Sequence, residues 1–493
     1  MSHADAELRF RTQAIETALR AHPAVRDVRA VASVGPGALQ ITCYVVPHEA
    51  ELPEPAEASQ VQKWRKVFDL IHTGPNASEV EHVLPRPKWT SSYTRQEFAP
   101  EEIDEWIDAT VRRVQQLAPS RILELGCGIG VLAARLAQRC AGYLGTDLSG
   151  RSLEQFAAYL RAVRPSLDHV SLLEQAANDF SGIPERAFDA VLVNSVIQYF
   201  PSENYLSEVL GRAVRAVRPG GVVYVGDVRS LPLLGLFSTS LELFRAPTAL
   251  GIPEVRERIA RRIAKQDELL LSPAYFLDWG RAHPGVADVC IEPKRGRFTN
   301  EFSAYRYEVV IHVGERRELL APRWIDWTSE LDLAVIAGML SAPGSESLAL
   351  RGIANARLGR DLAAWFAIER AAAPDVEGVN AQAIKAGEIG LSPEDLHVMA
   401  AEHGFRARLS FASSTTDGRF DAVFERTATP VMPIAWPELA PGSGPTFNEP
   451  SGNTRRHSLV PGLMAHAQKL LESAWVPTRI AVVEALPDEA GAD

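Results

Sequence analysis

Apolar positions recur along this chain with two periods, and the switches between them predict most of its elements. Arg11 to Pro23 has Ile15, Ala18 and Leu19 at helical spacing and reads as an amphipathic helix. Two β-rich runs follow, Val25 to Val34 and Leu39 to Val46, joined by the turn Gly35-Pro-Gly37. Glu51 to Ser59 is rich in Pro, Glu and Ala and reads as a linker. Gln60 to Leu84 reads as helical and then irregular. Glu101 to Leu117 places Ile103, Trp106, Ile107 and Val111 on one helical face.

From Arg121 the pattern changes to short apolar runs separated by helical stretches. Strands are expected at Arg121–Leu125, Gly142–Thr146, Val170–Gln175, Ala190–Asn194 and Gly221–Val225. That alternation implies a mostly parallel sheet with right-handed crossovers. Ligands in such sheets sit at the carboxyl ends of the strands. Val286–Glu292 and Tyr305–Val313 would add further strands. Beyond them, Leu331–Leu340 and Leu358–Ala372 read as helices, and Gly404–Ser413 with Arg419–Arg426 as an antiparallel pair around Asp417-Gly418. Pro433 to Asn453 is rich in Pro, Gly and Ser and reads as a second linker. Val460–Ala474 is expected as a helix and Arg479–Val483 as a short strand. No internal repeat is visible.

Composition narrows the class. The 493 residues are 46% hydrophobic and 23% charged, as in soluble globular proteins. A net charge of −11 leaves no basic surplus to neutralise phosphates, which argues against a nucleic-acid binder. The four cysteines (Cys43, Cys127, Cys140, Cys290) form no C-x-x-C pair, and the histidines show no H-x-H or H-E-x-x-H spacing. A reducing, cytoplasmic setting and no metal site are therefore expected. No apolar run approaches the ~20 residues that span a bilayer, and the N-terminus lacks a charged-then-apolar signal.

The stretch Ile122-Leu-Glu-Leu-Gly-Cys-Gly-Ile-Gly130, followed by Tyr143-Leu-Gly-Thr-Asp-Leu-Ser149, carries the chemistry. It reads as strand, glycine turn, helix, strand and acidic residue. Gly126, Gly128 and Gly130 allow a tight turn and close approach of a ligand to the backbone. Asp147 ends the next strand, where a carboxylate accepts the hydroxyls of a ribose. A dinucleotide fingerprint needs a third glycine at position 131, which is Val131. The spacing E-x-G-x-G-x-G instead resembles the first motif of class I S-adenosylmethionine-dependent methyltransferases. The fold class implied is α/β, with a Rossmann-like, mostly parallel sheet, and the cofactor implied is S-adenosyl-L-methionine.

The flanks carry a second resemblance. Ile15-Glu-Thr-Ala-Leu-Arg-Ala-His-Pro-Ala-Val-Arg-Asp-Val28 and Trp475-Val-Pro-Thr-Arg-Ile-Ala-Val-Val-Glu-Ala-Leu-Pro487 resemble the C-terminal subdomain of adenylation domains in nonribosomal peptide synthetases. The middle, roughly 60–430, resembles the methyltransferase domain that interrupts some of them. It carries Trp89-Thr-Ser-Ser-Tyr-Thr94, Asn194-Ser-Val-Ile-Gln-Tyr-Phe-Pro201, Gly226-Asp-Val-Arg229, and Lys294-Arg-Gly-Arg297 through Tyr305-Arg-Tyr307. The domains implied are 1–50 and 455–493 as two halves of a small α+β adenylation-like subdomain, 60–313 as the methyltransferase core, and 314–430 as an accessory extension. The large ATP-binding subdomain, the lysine expected after Ala-Leu-Pro487 and a phosphopantetheine site are not found, so the flanks are expected to be a scaffold without adenylation chemistry. The resemblance implies methylation of a peptide or aminoacyl intermediate, N-methylation ahead of O-methylation. A free-standing enzyme is expected, meeting a free substrate or one on a carrier protein or partner enzyme in trans, with no nucleic acid or membrane. A silent cofactor-binding module and a piece of a larger synthetase are the alternatives.

Methyl transfer from a sulfonium is an in-line displacement with a neutral leaving group, so it is mainly a positioning task, and a base helps an amide or hydroxyl nucleophile. On the cofactor, Glu124 is expected near the amino group, with Gly126, Cys127 and Gly128 along the amino-acid end. Asp147 is expected on the ribose and Leu148 on the adenine. Asn178, Asp179 and Phe180 are expected at the adenine edge, and Tyr93 is expected to close over the cofactor. Asn194 ends the fourth strand and is expected to face the methionine moiety or the substrate. For catalysis, Asp227 is expected to orient or deprotonate the nucleophile and Arg229 to fork a substrate carbonyl. Tyr199 and Gln198 are expected at the substrate. His82 and the pair Lys294/Arg297 are lesser candidates, the pair expected to hold a turn.

Overall fold

The computed structural model describes residues 3–35, 38–48, 57–71, 86–386, 390–439, 444–472, 475–483 and 486. They fall into two compact units, 1–60 with 449–493 and 61–448. Pro36, Gly37 and His82 lie outside the described residues.

In the first unit the helix His3–Arg20 buries Ile15 and Leu19 against an antiparallel pair, β1 (Val25–Gly35) and β2 (Ala38–Pro47). The strand Arg479–Val482 adds to β2 in parallel. The last helix runs over Pro450–Leu470, earlier than the 460–474 expected, and so takes in the end of the proposed linker. Its stripe Leu459, Leu463 and Ala467, at i, i+4 and i+8, is what packs on the sheet.

The second unit is built on a seven-stranded sheet. Its strands are β3 (Arg121–Leu125), β4 (Gly142–Asp147), β5 (Val170–Glu174), β6 (Phe188–Asn194), β7 (Val217–Arg229), β8 (Val286–Pro293) and β9 (Arg306–Val313). Their order is β5-β4-β3-β6-β7-β9-β8. The pairs up to β7 are parallel, and β9 and β8 pair antiparallel. The mostly apolar strands β3 and β6 are buried on both faces, apart from Arg121 at the start of β3, as central parallel strands require. The chain leaves β3 towards one edge and returns to β6 towards the other. The crevice between the ends of β3 and β6 is thus the topological switch point where ligands bind.

β7 is longer than the expected 221–225 because Val217 pairs with Phe188 of β6 at its start and antiparallel β9 keeps pairing with it to Arg229 at its end. The register shifts between Val225 and Val228, which makes a bulge of Gly226-Asp227. The segment 314–430 lies within this second unit. It adds a small sheet of β10 (Trp324–Asp326), β11 (Ser347–Ile353), β12 (Phe405–Ser410) and β13 (Phe420–Arg426), in order β10-β11-β13-β12. Leu350, Phe405, Phe411 and Phe424 share one core with Ile291, Val309 and Ile311 of the large sheet. Part of the expected 433–453 linker is also integrated. Ile434 is buried and bridges Leu320, and Phe447 bridges Leu271. Apolar side chains between the prolines and glycines give these residues something to bury.

Candidate active site

A cavity of about 1240 Å³ lies at the switch point. Its first half is the glycine turn. Gly126 and Cys127 N–H groups donate to the Thr146 carbonyl at 2.7 and 2.9 Å, which folds the turn back onto β4. Gly130, at φ +79°, is required by packing, since a Cβ there would stand 2.2 Å from the Phe156 ring. Gly128, at φ +53°, is different: a Cβ there would meet nothing within 4 Å. The space beside Gly128 is open to a ligand, not filled by the protein.

Two carboxylates face this half. Asp147 accepts from Gly128 N–H and Ser149 N–H, both at 2.8 Å, one on each oxygen. Each oxygen keeps a lone pair for a further donor, and burial pushes the Asp147 pKa up. Ser149 also donates from Oγ to Asp69 Oδ1 at 2.7 Å, tying the helix Glu57–Ile71 to the same turn. Glu124 is 3% exposed and accepts from the Tyr143 hydroxyl at 2.6 Å. Burial raises its pKa to about 7, against the pull of that hydrogen bond, and Asp147 adds to the rise.

The second half forms where β6 and β7 end. Asn194 is followed by Ser195 at φ 57°, beside Asp227 at φ 65° in the bulge. Asp227 is fully buried and surrounded by donors: Ser195 Oγ at 2.8 Å, Trp106 Nε1 at 3.3 Å, Lys294 Nζ at 3.4 Å and the Arg306 guanidinium. Burial by itself would raise this carboxyl, but Arg306, Lys294, Ser195 and Trp106 bring it down to about 2. A carboxylate so held is an anchor and a poor proton acceptor near neutrality. These partners suit the orienting half of the role expected of Asp227 more than the deprotonating half. Arg229 does not pair with Asp227; it pairs with Glu268 at the cavity wall. Lys294 is not confined to a turn. It is buried between Asp227 and Glu308, the latter at 3.1 Å. Arg297 is exposed and meets Glu105 through its backbone N–H, at 2.8 Å.

Of the expected residues, Glu124, Gly126, Cys127, Gly128, Asp147, Leu148, Asn194, Gln198, Tyr199, Asp227 and Arg229 line the cavity. Four others do not. Asn178 pairs with Tyr205 and Glu208, Asp179 caps the Ser181 N–H at 2.9 Å, and Phe180 packs on the core. Gln175 and Ala177 line the cavity in their place, because the chain turns away after β5. Tyr93 also lies off the wall: its hydroxyl donates to Ser240 Oγ at 3.0 Å and its ring meets Phe237 and Phe244. Its neighbours Thr90 and Ser92 line the cavity instead.

Several lining residues escaped the sequence reading. Trp64 and Phe68 sit one helical turn apart and cluster on Tyr199, with ring centroids 4.5 and 5.2 Å away. That i, i+4 aromatic pair was the available signal. Glu301 accepts from Ser92 N and Oγ, both at 3.0 Å. Arg306 and Tyr305 were visible in the Tyr-Arg-Tyr motif without a role. Tyr305 bonds Asp361, which sequence distance hid.

The open glycine turn and the buried carboxylates Glu124 and Asp147 lie together at the switch point of the sheet. With the fold, they define a class I S-adenosylmethionine-dependent methyltransferase. Comparison with known proteins agrees. Residues 123–223 match the model of a methyltransferase domain family. The chain is 31% identical to chondramide synthase cmdD of Chondromyces crocatus, over 97% of this chain and 13% of that protein. It is 33% identical to the probable non-canonical nonribosomal peptide synthetase CymA of Salinispora arenicola, over 92% of this chain and 5% of that one. It is 27% identical to the beauvericin nonribosomal cyclodepsipeptide synthetase of Beauveria bassiana, over 97% and 16%. The chain thus spans between 5% and 16% of the length of these relatives. Among solved structures, N-methyltransferase NodS from Bradyrhizobium japonicum WM9 aligns with 51% of this chain and 98% of its own, at 13% identity and a TM-score of 0.32, too slight a likeness to bear on function. This nonribosomal-peptide-synthetase-like chain carries an S-adenosylmethionine-dependent methyltransferase domain. Among the described residues, no helix is long and apolar enough to cross a membrane, and no group of His, Cys, Asp or Glu is arranged to hold a metal.

Proposed function

We propose that this chain methylates an amino nitrogen of a peptide or aminoacyl natural-product intermediate, carried on a carrier protein in trans or free. The observation that carries this reading is the second half of the cavity. At about 1240 Å³ the cavity exceeds the roughly 300–1,000 Å³ of a single small-ligand site. Beyond the glycine turn it continues between Gln198, Tyr199, Arg229, Glu268 and Glu301. These polar groups suit a substrate with hydrogen-bonding functions beside the reacting atom. The matched relatives are peptide synthetases, which supports a peptidyl or aminoacyl substrate.

S-adenosylmethionine bound in the first half supplies an electrophilic methyl group. In this reading Asp147 accepts the ribose hydroxyls and Glu124 faces the amino group. Leu148 packs on the adenine. Arg229, fixed by Glu268, presents its guanidinium to a substrate carbonyl. Trp64, Phe68 and Tyr199 wall the site with apolar surface and exclude water from the reacting centre. The test is incubation with methyl-labelled cofactor and a panel of peptides and carrier-bound aminoacyl groups, with the label located by mass spectrometry. Label on an amino nitrogen is expected. Label on a hydroxyl or carboxylate oxygen rejects the nitrogen assignment.

A further inference from the structure

Three carboxylates line the cavity beyond the glycine turn, those of Asp227, Glu268 and Glu301. Asp227 has donors on both oxygens and its side chain is 0% accessible. Glu301 takes the Ser92 N–H on one oxygen and the Ser92 hydroxyl on the other. Glu268 differs from both. Its Oε2 accepts from the Arg229 guanidinium, and its Oε1 has no donor among the described residues. The Glu268 side chain keeps 26% of its surface accessible.

The loop that carries Glu268 is fixed beside the ends of β6 and β7. Leu269 N–H donates to the Gln198 carbonyl at 2.9 Å, and Leu271 N–H to the Arg229 carbonyl at 3.1 Å. Asn448 closes the loop from its other side. Its Nδ2 donates to the Glu268 carbonyl at 2.9 Å, and its Oδ1 accepts from Leu270 N–H at 2.7 Å. Arg229 then holds the side chain itself. The carboxylate is therefore ordered before any substrate arrives, which lowers the entropy cost of binding. Tyr199 stands close by: burial, and after it the charge of Glu268, push its hydroxyl pKa up.

We propose that Glu268 is a catalytic residue of this site, its free oxygen receiving the α-amine of an aminoacyl group whose carbonyl lies on Arg229. The proposal rests on the N-methylation reading and adds the residue that meets the nitrogen. The ion pair offers a donor and an acceptor side by side. An α-aminoacyl group offers the complement, a carbonyl acceptor and an amine donor on adjacent carbons. In the transfer, the amine lone pair forms the N–C bond as the S–C bond of S-adenosylmethionine breaks and its electron pair stays on sulfur. Positive charge moves from sulfur to nitrogen. A fixed carboxylate beside the nitrogen is complementary to the charge that develops there, so it stabilises the transition state more than the neutral amine. The product ammonium gives one proton to Glu268, which passes it to water. A carboxylate nucleophile would meet Glu268 charge against charge, so the same residue selects against acids.

The test uses the full chain with S-adenosylmethionine and N-acetylcysteamine thioesters of several amino acids, each with its β-amino and α-hydroxy counterparts. Wild type is expected to methylate the α-amines ahead of the other two. Glu268→Gln keeps the size and removes the charge. It should lower kcat/KM for the α-amine about 10–100-fold, the range for a hydrogen bond to a charged group. Cofactor affinity by calorimetry, and inhibition by the α-hydroxy counterpart, should stay within about threefold. Because this change also releases Arg229, it is repeated in an Arg229→Met background, where a further loss is expected. No further loss there makes Glu268 a prop for Arg229 and overturns the proposal. Glu268→Asp keeps the charge and draws it back by one methylene. It carries the test if Glu268→Gln does not fold, with a lower rate on the α-amine expected and a wild-type rate overturning the assignment. An unchanged rate in Glu268→Gln, an equal loss for amine and hydroxy counterpart, or equal transfer to α- and β-amines overturns the proposal while leaving N-methylation standing. Transfer to the hydroxy counterparts, or to no amine, overturns the N-methyl reading itself.

Discussion

Glu124 and Asp147 sit one strand apart in the same buried corner, yet they are prepared for different tasks. Asp147 has a backbone donor on each oxygen, and its remaining lone pairs suit neutral hydroxyls. Asp147→Ala should weaken S-adenosylmethionine binding by about 1.5–3 kcal/mol, the range for hydrogen bonds to a charged group. Wild-type affinity by calorimetry in a folded variant would remove it from the cofactor. Glu124, raised to about 7, is partly protonated at neutral pH in the free protein. A folded-state value above the ordinary 4.5 means that its contribution to stability is full below pH 4.5 and is lost as pH rises through about 7. An ammonium group arriving beside it would favour the carboxylate and expel a proton. Cofactor affinity is therefore expected to rise with pH up to about 7 and level off, with a binding enthalpy that depends on the buffer's ionisation heat. Glu124→Gln should abolish both effects; persistence of the buffer dependence in that variant would place the titration elsewhere.

At the scale of elements, the site is made by how strands end. β3 and β4 end in the glycine turn and Asp147, as the residue pattern alone foretold. β6 and β7 end in two left-handed residues, Ser195 and Asp227, that no periodicity announces. The bulge in β7 brings the Asp227 carboxylate among Trp106, Ser195, Lys294 and Arg306, which come from four separate segments. Asp227→Asn should cost about 3–5 kcal/mol of stability, the scale for breaking a buried ion pair. Turnover per folded molecule should stay within about tenfold, well short of the 10²–10⁴ of lost general-base assistance. Because its folded pKa is depressed to about 2, the Asp227 contribution is present above pH 3.8 and lost as pH falls through about 2. Acid unfolding of wild type and variant, with single-turnover rates on the same preparations, checks both. A rate loss of three decades at unchanged stability would restore the catalytic assignment.

Across the whole second unit, the segment 314–430 supports the site from behind. Arg357, 7% exposed, donates to the carbonyls of Lys294, Gly296 and Ser303 at 2.6, 2.5 and 3.1 Å. It thereby holds the loop that carries Lys294 towards Asp227. Burial lowers its pKa to about 10, so it remains charged at neutral pH. Arg357→Met should cost about 1–3 kcal/mol for each carbonyl left without a donor. It should also slow methyl transfer while cofactor affinity stays near wild type, since none of these contacts touches the glycine turn. Denaturant unfolding and turnover on one sample would test this; an unchanged midpoint would show that the loop stands without Arg357.

The amino-acid sequence by itself determined the parts that local chemistry dictates. Central strands announce themselves as apolar runs because both faces are buried, a glycine turn because other residues resist its backbone, and Asp147 as the acidic residue that ends the neighbouring strand. From these follow the Rossmann-like sheet, its switch point and the glycine-turn corner from Glu124 to Leu148. Tertiary structure decided which residues meet across long separations. Asp227 became an anchor because Lys294 and Arg306 close on it, and Arg229 went to Glu268. Asn178, Asp179, Phe180 and Tyr93 left the cavity, while Trp64, Phe68 and Glu301 entered it. The physical reason is that a side chain's type depends only on its codon, whereas its pKa, its free lone pairs and its access to a cavity depend on neighbours tens to hundreds of residues away.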